Sequence, residues 1–279
     1  MTGQSTPPRP PLAGPVVDTH CHLDMVIEQG GPDVTESLAV AAAVGVTAIV
    51  QAGCDVAGSR WAVEQAIAHA DIWAAVALHP NEVPRIHARE GFPGVQAAWA
   101  QIEALAAQPE VRAIGETGMD FFRTQQPGRA IQEESFRRHI DIAKRLGKAL
   151  VVHDREAHAD VLRILDDEGA PAVVVLHCFS GDAAFAAQAT DRGWYCSFAG
   201  VLTFKNAQLL RDAAAVVPAD RLLVETDAPF LTPTPYRGKT NGSYLLPLTV
   251  RALRDVRGIP EIELCEQLWR NTVDAFGAF

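Results

Sequence analysis

Residues 18–24 read Asp-Thr-His-Cys-His-Leu-Asp, directly after the apolar pair Val16-Val17. Two histidines one residue apart at the end of an apolar run can supply half of a metal site, because imidazole nitrogen is a common ligand for divalent cations. In an extended strand alternate side chains share a face, so Asp18, His20 and His22 are expected on one side and Thr19 and Cys21 on the other. Standing alone, the pair fits equally well with two solvent-facing histidines at a strand end. The choice rests on whether other chemistry-bearing residues fall in equivalent places.

Eight short apolar runs punctuate the chain: VVDTH, VTAIVQA, IWAAVAL, VRAIGE, ALVVH, AVVVLH, GWYCSF and RLLVET. Such near-continuous apolarity belongs to parallel strands covered by helices on both faces. Helical patterns lie between them over Thr35–Val44, Ala57–Ala70, Val95–Ala107, Arg129–Leu146, Glu156–Glu168 and Lys205–Ala215, and two more follow, Leu245–Val256 and Glu261–Arg270. Gly45, Gly147 and Gly169 sit where helix C-terminal caps are expected. Eight strand-helix units in 279 residues predict an α/β fold, a single-domain (β/α)8 TIM barrel, with a doubly wound open sheet as the alternative.

In a barrel the site is assembled where the strands end. The runs end in His20 and His22, His79, Glu116, His153, His177 and Asp227, seven metal-capable side chains from six runs. Each could cap its own strand independently. Unpaired buried polar groups cost about 1–3 kcal/mol each, however, and seldom accumulate without a shared partner. The remaining histidines, His69, His87, His139 and His158, fall in helical or loop patterns and are expected on the surface or in packing.

Composition narrows the classes. Twenty-four basic against 34 acidic residues give a net charge of -10, so there is no broad basic surface for nonspecific binding to a nucleic acid or an anionic membrane. The five cysteines, at 21, 54, 178, 196 and 265, lack paired spacing, which predicts reduced thiols, small buried hydrophobes and a cytoplasmic setting. Residues 1–15 hold five prolines and no apolar segment, and are expected to form a flexible tail ahead of a domain over 16–279. No uncharged run is long enough to span a bilayer, so no membrane partner is expected.

The stretches DTHCHLD (18–24), LHP (78–80), GETGMDFF (115–122), HDREA (153–157), HCFSG (177–181) and ETDAPFL (225–231) together resemble the TatD family of metal-dependent deoxyribonucleases, within the amidohydrolase-like metal barrels. The resemblance runs through nearly the whole domain in the family's order. It implies two divalent cations, Mg2+, Mn2+ or Zn2+: one on His20, His22 and Asp227, the other on His153 and His177, with Glu116 bridging. It further implies hydrolysis of DNA, threaded as a single-stranded end into the barrel mouth. Asp227, which could orient and deprotonate water, and Glu116 are the catalytic candidates. Asp18 is expected to support the histidines from behind.

Candidate substrate contacts are His79, Arg155, the turn at Ser180, and Arg237 with Lys239 on the loop after the eighth run. That loop departs from the family pattern Arg-Gly-Lys-Arg-Asn-Glu-Pro: Lys239 is followed by Thr240, Asn241, Gly242 and Ser243, which is expected to loosen it. Two other classes compete with a DNA hydrolase: an amidohydrolase-like enzyme for a small or aminoacyl ester or amide, favoured by the acidic balance, and a barrel that binds metal without turnover. A monomer or weak oligomer is expected.

Overall fold

The strands β1 (Val16–Cys21), β2 (Val46–Gly53), β3 (Ile72–Val76), β4 (Val111–Asp120), β5 (Ala149–Arg155), β6 (Val174–Leu176), β7 (Tyr195–Phe198) and β8 (Leu222–Val224) pair in chain order, every neighbour parallel. A parallel bridge between Cys21 and Ala228 brings the last strand back to the first. The structure, a computed structural model, describes residues 10–278. It is a (β/α)8 TIM barrel, and all eight apolar runs are its strands.

Helices follow the strands: α1 (Leu23–Glu28), α2 (Val34–Ala42), α3 (Val56–Ala68), α4 (Glu82–Ala106), α5 (Gly128–Leu146), α6 (His158–Glu168), α7 (Ala183–Asp191), α8 (Gln208–Val216), α9 (Leu246–Arg257) and α10 (Glu261–Phe276). Aspartates start three of them, with Asp33, Asp55 and Asp182 accepting from the N–H of Glu36, Gly58 and Phe185. In α5 the buried Phe136, Ile140 and Ala143 recur at helical spacing, Lys144 and Arg145 sit in the last turn, and Gly147 caps it at φ 62°. Helices α1 and α7 and the first half of α4 go beyond the expected set: α1 is only six residues long, and α4 is broken at Gly91, which splits its apolar period.

Strand alternation sorts side chains into two layers. Val17, Ala48, Val50, Trp73, Ala75, Ala113, Ala149, Val151, Val175, Tyr195 and Leu223 fill the barrel interior, closed from below by Ala275 and Phe276 of α10. The intervening residues face the helices in the larger outer core. Residues 10–15 do not form the expected loose tail: Leu12 is buried with its N–H on Val44 O, Ala13 N–H donates to Glu261, and Arg251 holds the carbonyls of Pro10 and Pro11. The first nine residues of that expected tail lie outside the described residues. Among the described residues no helix is long and apolar enough to cross a membrane.

Candidate metal centre

The interior stripes of β5 and β6 run on to His153 and His177, which therefore point into the mouth by simple alternation. His20 and Glu116 do not. Val17 and Thr19 already occupy the inward positions of β1, with the Thr19 hydroxyl meeting Ser197 Oγ at 3.1 Å. A register irregularity between Asp18 and Cys21 lets His20 and His22 turn inward as well. The expected division, with Thr19 opposite the histidines, is corrected accordingly. A second irregularity between Ile114 and Thr117 re-aims Glu116. It passes close to β5 at Gly118, whose φ is 140° and where a Cβ would lie 2.1 Å from His153 O.

The centre is organised around the two oxygens of Glu116. Oε1 lies 3.5 Å from His20 Nε2 and 3.3 Å from His22 Nε2. Oε2 lies 3.0 Å from His153 Nδ1 and 2.8 Å from His177 Nε2. Asp227 closes the first side, its Oδ1 3.5 Å from His22 Nε2 and 3.9 Å from His20 Nε2. The backbone of Asp227 is left-handed, φ 53°, which an aspartate tolerates better than most side chains, and its N–H is held by His20 O. The structure thus brings together all six residues expected to share cations, and adds His79, with Nε2 3.6 Å from Glu116 Oε2.

Orientation comes from groups behind the imidazoles. The carbonyl of Ala52 can only accept, so His22 Nδ1, 3.0 Å away, carries the proton and leaves the Nε2 lone pair toward Glu116 and Asp227. Glu225, wholly buried, does the same for His177: its Oε1 lies 3.2 Å from Nδ1 and also accepts from Cys178 N–H. Glu225 stands two residues before Asp227, and alternation along RLLVET was the available signal for it. Asp18 has a different task from the expected one. It accepts from Thr226 N–H, Thr226 Oγ1 and Ser243 Oγ, tying β1 to the turn that carries Asp227; burial raises its carboxyl to about 7.

The field inside the centre calls for positive charge. Burial alone would raise Glu116, but the charge of His177 and the hydrogen bonds from His153 and His177 outweigh it and hold the carboxyl well below its usual range. Burial likewise works downward on His177, and Glu116 with Glu225 overcomes it, lifting that imidazole well above its ordinary value. Buried His20 Nδ1 lacks a hydrogen-bond partner among the described residues, and His153 Nε2 faces Asp120 Oδ2 at 3.4 Å. Imidazole nitrogens facing carboxylates at 2.8–3.5 Å need positive charge between them, and a mixed nitrogen and oxygen donor set suits a divalent cation in that role. The residues present therefore fit a metal centre.

His79 plays a separate part. Asn81 N–H donates to its Nδ1, and burial pushes the ring down to about 3, so the neutral ring carries its proton on Nε2 as a hydrogen-bond donor. Among the other expected contacts, Arg155 lies 4.0 Å over the ring of Phe122, and exposed Ser180 donates to Asp154 O. Arg237 sits over Phe204 and Lys239 near Tyr236, both exposed on the loop after β8 and neither inside the donor cluster. That loop is not loosened by its unusual residues. Asn241 is buried and donates to Thr226 O and Phe230 O, while Ser243 reaches Asp18.

A parallel barrel with a histidine-carboxylate centre at the C-terminal ends of its strands defines the metal-dependent hydrolase barrels. Residues 17–277 match the family model described as TatD related DNase, and the chain belongs to that family. It is 44% identical over 248 residues to the uncharacterized metal-dependent hydrolase TatD of Mycobacterium tuberculosis, covering 86% of this chain and 90% of that protein. It is 37% identical over 263 residues to the uncharacterized metal-dependent hydrolase YcfH of Escherichia coli, covering 94% of each. Among solved structures, the TatD homologue YjjV of Escherichia coli superposes with a TM-score of 0.84 at 27% identity, over 95% of this chain and 98% of that one. The chain is thus a metal-dependent hydrolase of the TatD family.

Proposed function

We propose that this hydrolase cleaves phosphodiester bonds of DNA with two divalent cations, Mg2+, Mn2+ or Zn2+, and takes its substrate as exposed single-stranded ends. His20, His22 and Asp227 would hold one cation, His153 and His177 the other, and Glu116 both. The observation that carries this reading is the division of Glu116 between two nitrogen sets, Oε1 toward His20 and His22, Oε2 toward His153 and His177. Two cations held there would acidify water and stabilise charge on phosphate oxygens, and the shared Glu116 carboxylate would offset their mutual repulsion.

The chain's own groups supply the remaining functions. Asp227 accepts the proton of the attacking water: its side chain is 14% exposed against 4% for Glu116, so it is the carboxylate that solvent reaches. His79 offers its Nε2 proton to a phosphate oxygen, and Arg155 and Ser180 stand at the neighbouring strand ends to do likewise. Arg237 and Lys239 attract the polyanion from the outer loop. Unpaired bases have surfaces to stack on. Phe122 is 53% exposed beside Arg155, and Phe230 is 47% exposed with its ring 6.1 Å from that of His22.

The test is hydrolysis of end-labelled single-stranded DNA, duplex DNA and a panel of chromogenic esters by the purified chain across a metal titration, with EDTA controls. Metal-dependent shortening of single strands, steeply weakened by salt, is expected. Cleavage of small esters alone would instead favour the amidohydrolase-like reading, to which the net charge of -10 lends support. Silence on all substrates would favour a barrel without turnover.

A further inference from the structure

Strand β2 sends neither histidine nor carboxylate to the mouth; it ends at Gly53, and the next residue is Cys54. Cys21, Cys196 and Cys265 are buried in the apolar outer core. Cys54 instead donates its thiol hydrogen bond to Glu116 Oε1 at 3.6 Å, and its Sγ lies 3.7 Å from His22 Nδ1. His22, Cys54 and Glu116 each bring one ligand-capable atom within 4.8 Å of the others. The oxygen Cys54 touches is the one facing the Nε2 atoms of His20 and His22.

We infer that Cys54 is a sulfur donor to the metal centre, and that it tunes the Glu116–His22 side toward thiophilic divalent cations of the Zn2+ class and away from Mg2+. Thiolate is a soft ligand favoured by Zn2+, Co2+ and Cd2+, whereas Mg2+ demands hard oxygen ligands in near-octahedral array. Coordination would transfer the thiol proton to solvent and leave the sulfur as an anionic donor. The competing role is purely mechanical, a thiol that steadies Glu116 by hydrogen bonding. Serine keeps that hydrogen bond but not the soft donor, so Cys54→Ser separates the two. The inference rests on the family's metal dependence and not on DNA as substrate, so a failed nuclease assay leaves it standing.

The full chain, stripped of metal and loaded with Co2+ alone, is expected to show near-ultraviolet sulfur-to-cobalt charge-transfer absorption. The band should persist in Cys178→Ser and vanish in Cys54→Ser, while the cobalt content of the latter is retained. In competitive dialysis the preference of Cys54→Ser for Zn2+ over Mn2+ should fall about tenfold, the scale expected for altered support of a metal site. Cobalt binding without the band in the unsubstituted chain, or a band that survives Cys54→Ser, would overturn the inference. Should Cys54→Ser fail to fold, alkylation of the unsubstituted chain, mapped by mass spectrometry, decides instead. Saturating Zn2+ should protect Cys54 at least about tenfold more than saturating Mg2+, and equal protection by both would overturn it.

Discussion

The two ends of the barrel are made from the same eight strands and carry opposite chemistry. Below, Val17, Val50, Val151, Val175 and Leu223 pack with Trp73, Tyr195 and the Phe276 plug into an apolar plug of the interior. Above, the same inward direction delivers His153, His177 and Glu225, joined by His20, His22 and Glu116 where β1 and β4 lose register. The lower end gains stability from every buried contact. The upper end gathers carboxylates and imidazoles that must be desolvated together, a cost offset only by mutual pairing and by a cation. Interior alternation is thus one device with two outputs, core at one end and chemistry at the other.

Substitutions at the two ends should therefore separate activity from stability. Asp227→Asn, which leaves shape but removes a charge from the mouth, should lower the hydrolytic rate about 10²–10⁴-fold with the thermal midpoint unchanged or raised. Rate assays paired with thermal melts would check it, and a full rate in a folded variant would remove Asp227 from the chemistry. Phe276→Ala at the lower end should cost about 3 kcal/mol of stability while the rate per folded molecule stays at the parental value. Denaturant titration measures the first quantity. A lost rate in folded Phe276→Ala would show the two ends to be coupled.

The smallest expected effect lies between the two ends. His139 is fully buried, donates from Nδ1 to Ser135 O and accepts from Leu78 N–H, so it anchors the loop that presents His79. Burial pushes its imidazole down to about 4. The unfolded chain binds a proton near pH 6.5 that the folded chain refuses until about 4, so stability falls as pH drops through that window and levels off below it. His139→Gln should flatten this part of the stability profile by at most about 3 kcal/mol across the window, measured by denaturant titrations at stepped pH. An unchanged profile would detach His139 from the acid response.

Much of this was legible beforehand. Residue types at run ends named His20, His22, Glu116, His153, His177 and Asp227, because strand ends in parallel barrels share one rim, and all six do meet there. Asp18 was misplaced because period-two alternation was carried through a register irregularity that no local pattern announces. The loop after β8 was expected to be loose because glycine and serine usually loosen chains, yet buried Asn241 and Ser243 hold it through partners more than ten residues distant in sequence.

By itself, the order of apolar runs determined a barrel, and the residues closing those runs determined a polar rim rich in imidazole, since both follow from short-range periodicity. Only the tertiary structure decided which way His20 and Glu116 turn, which nitrogen of His22 and His177 faces inward, and that Cys54 stands against Glu116. Those outcomes depend on how neighbouring strands slip in register and on acceptors such as Ala52 and Glu225 contributed by other strands, and such relations arise only when the strands are packed side by side.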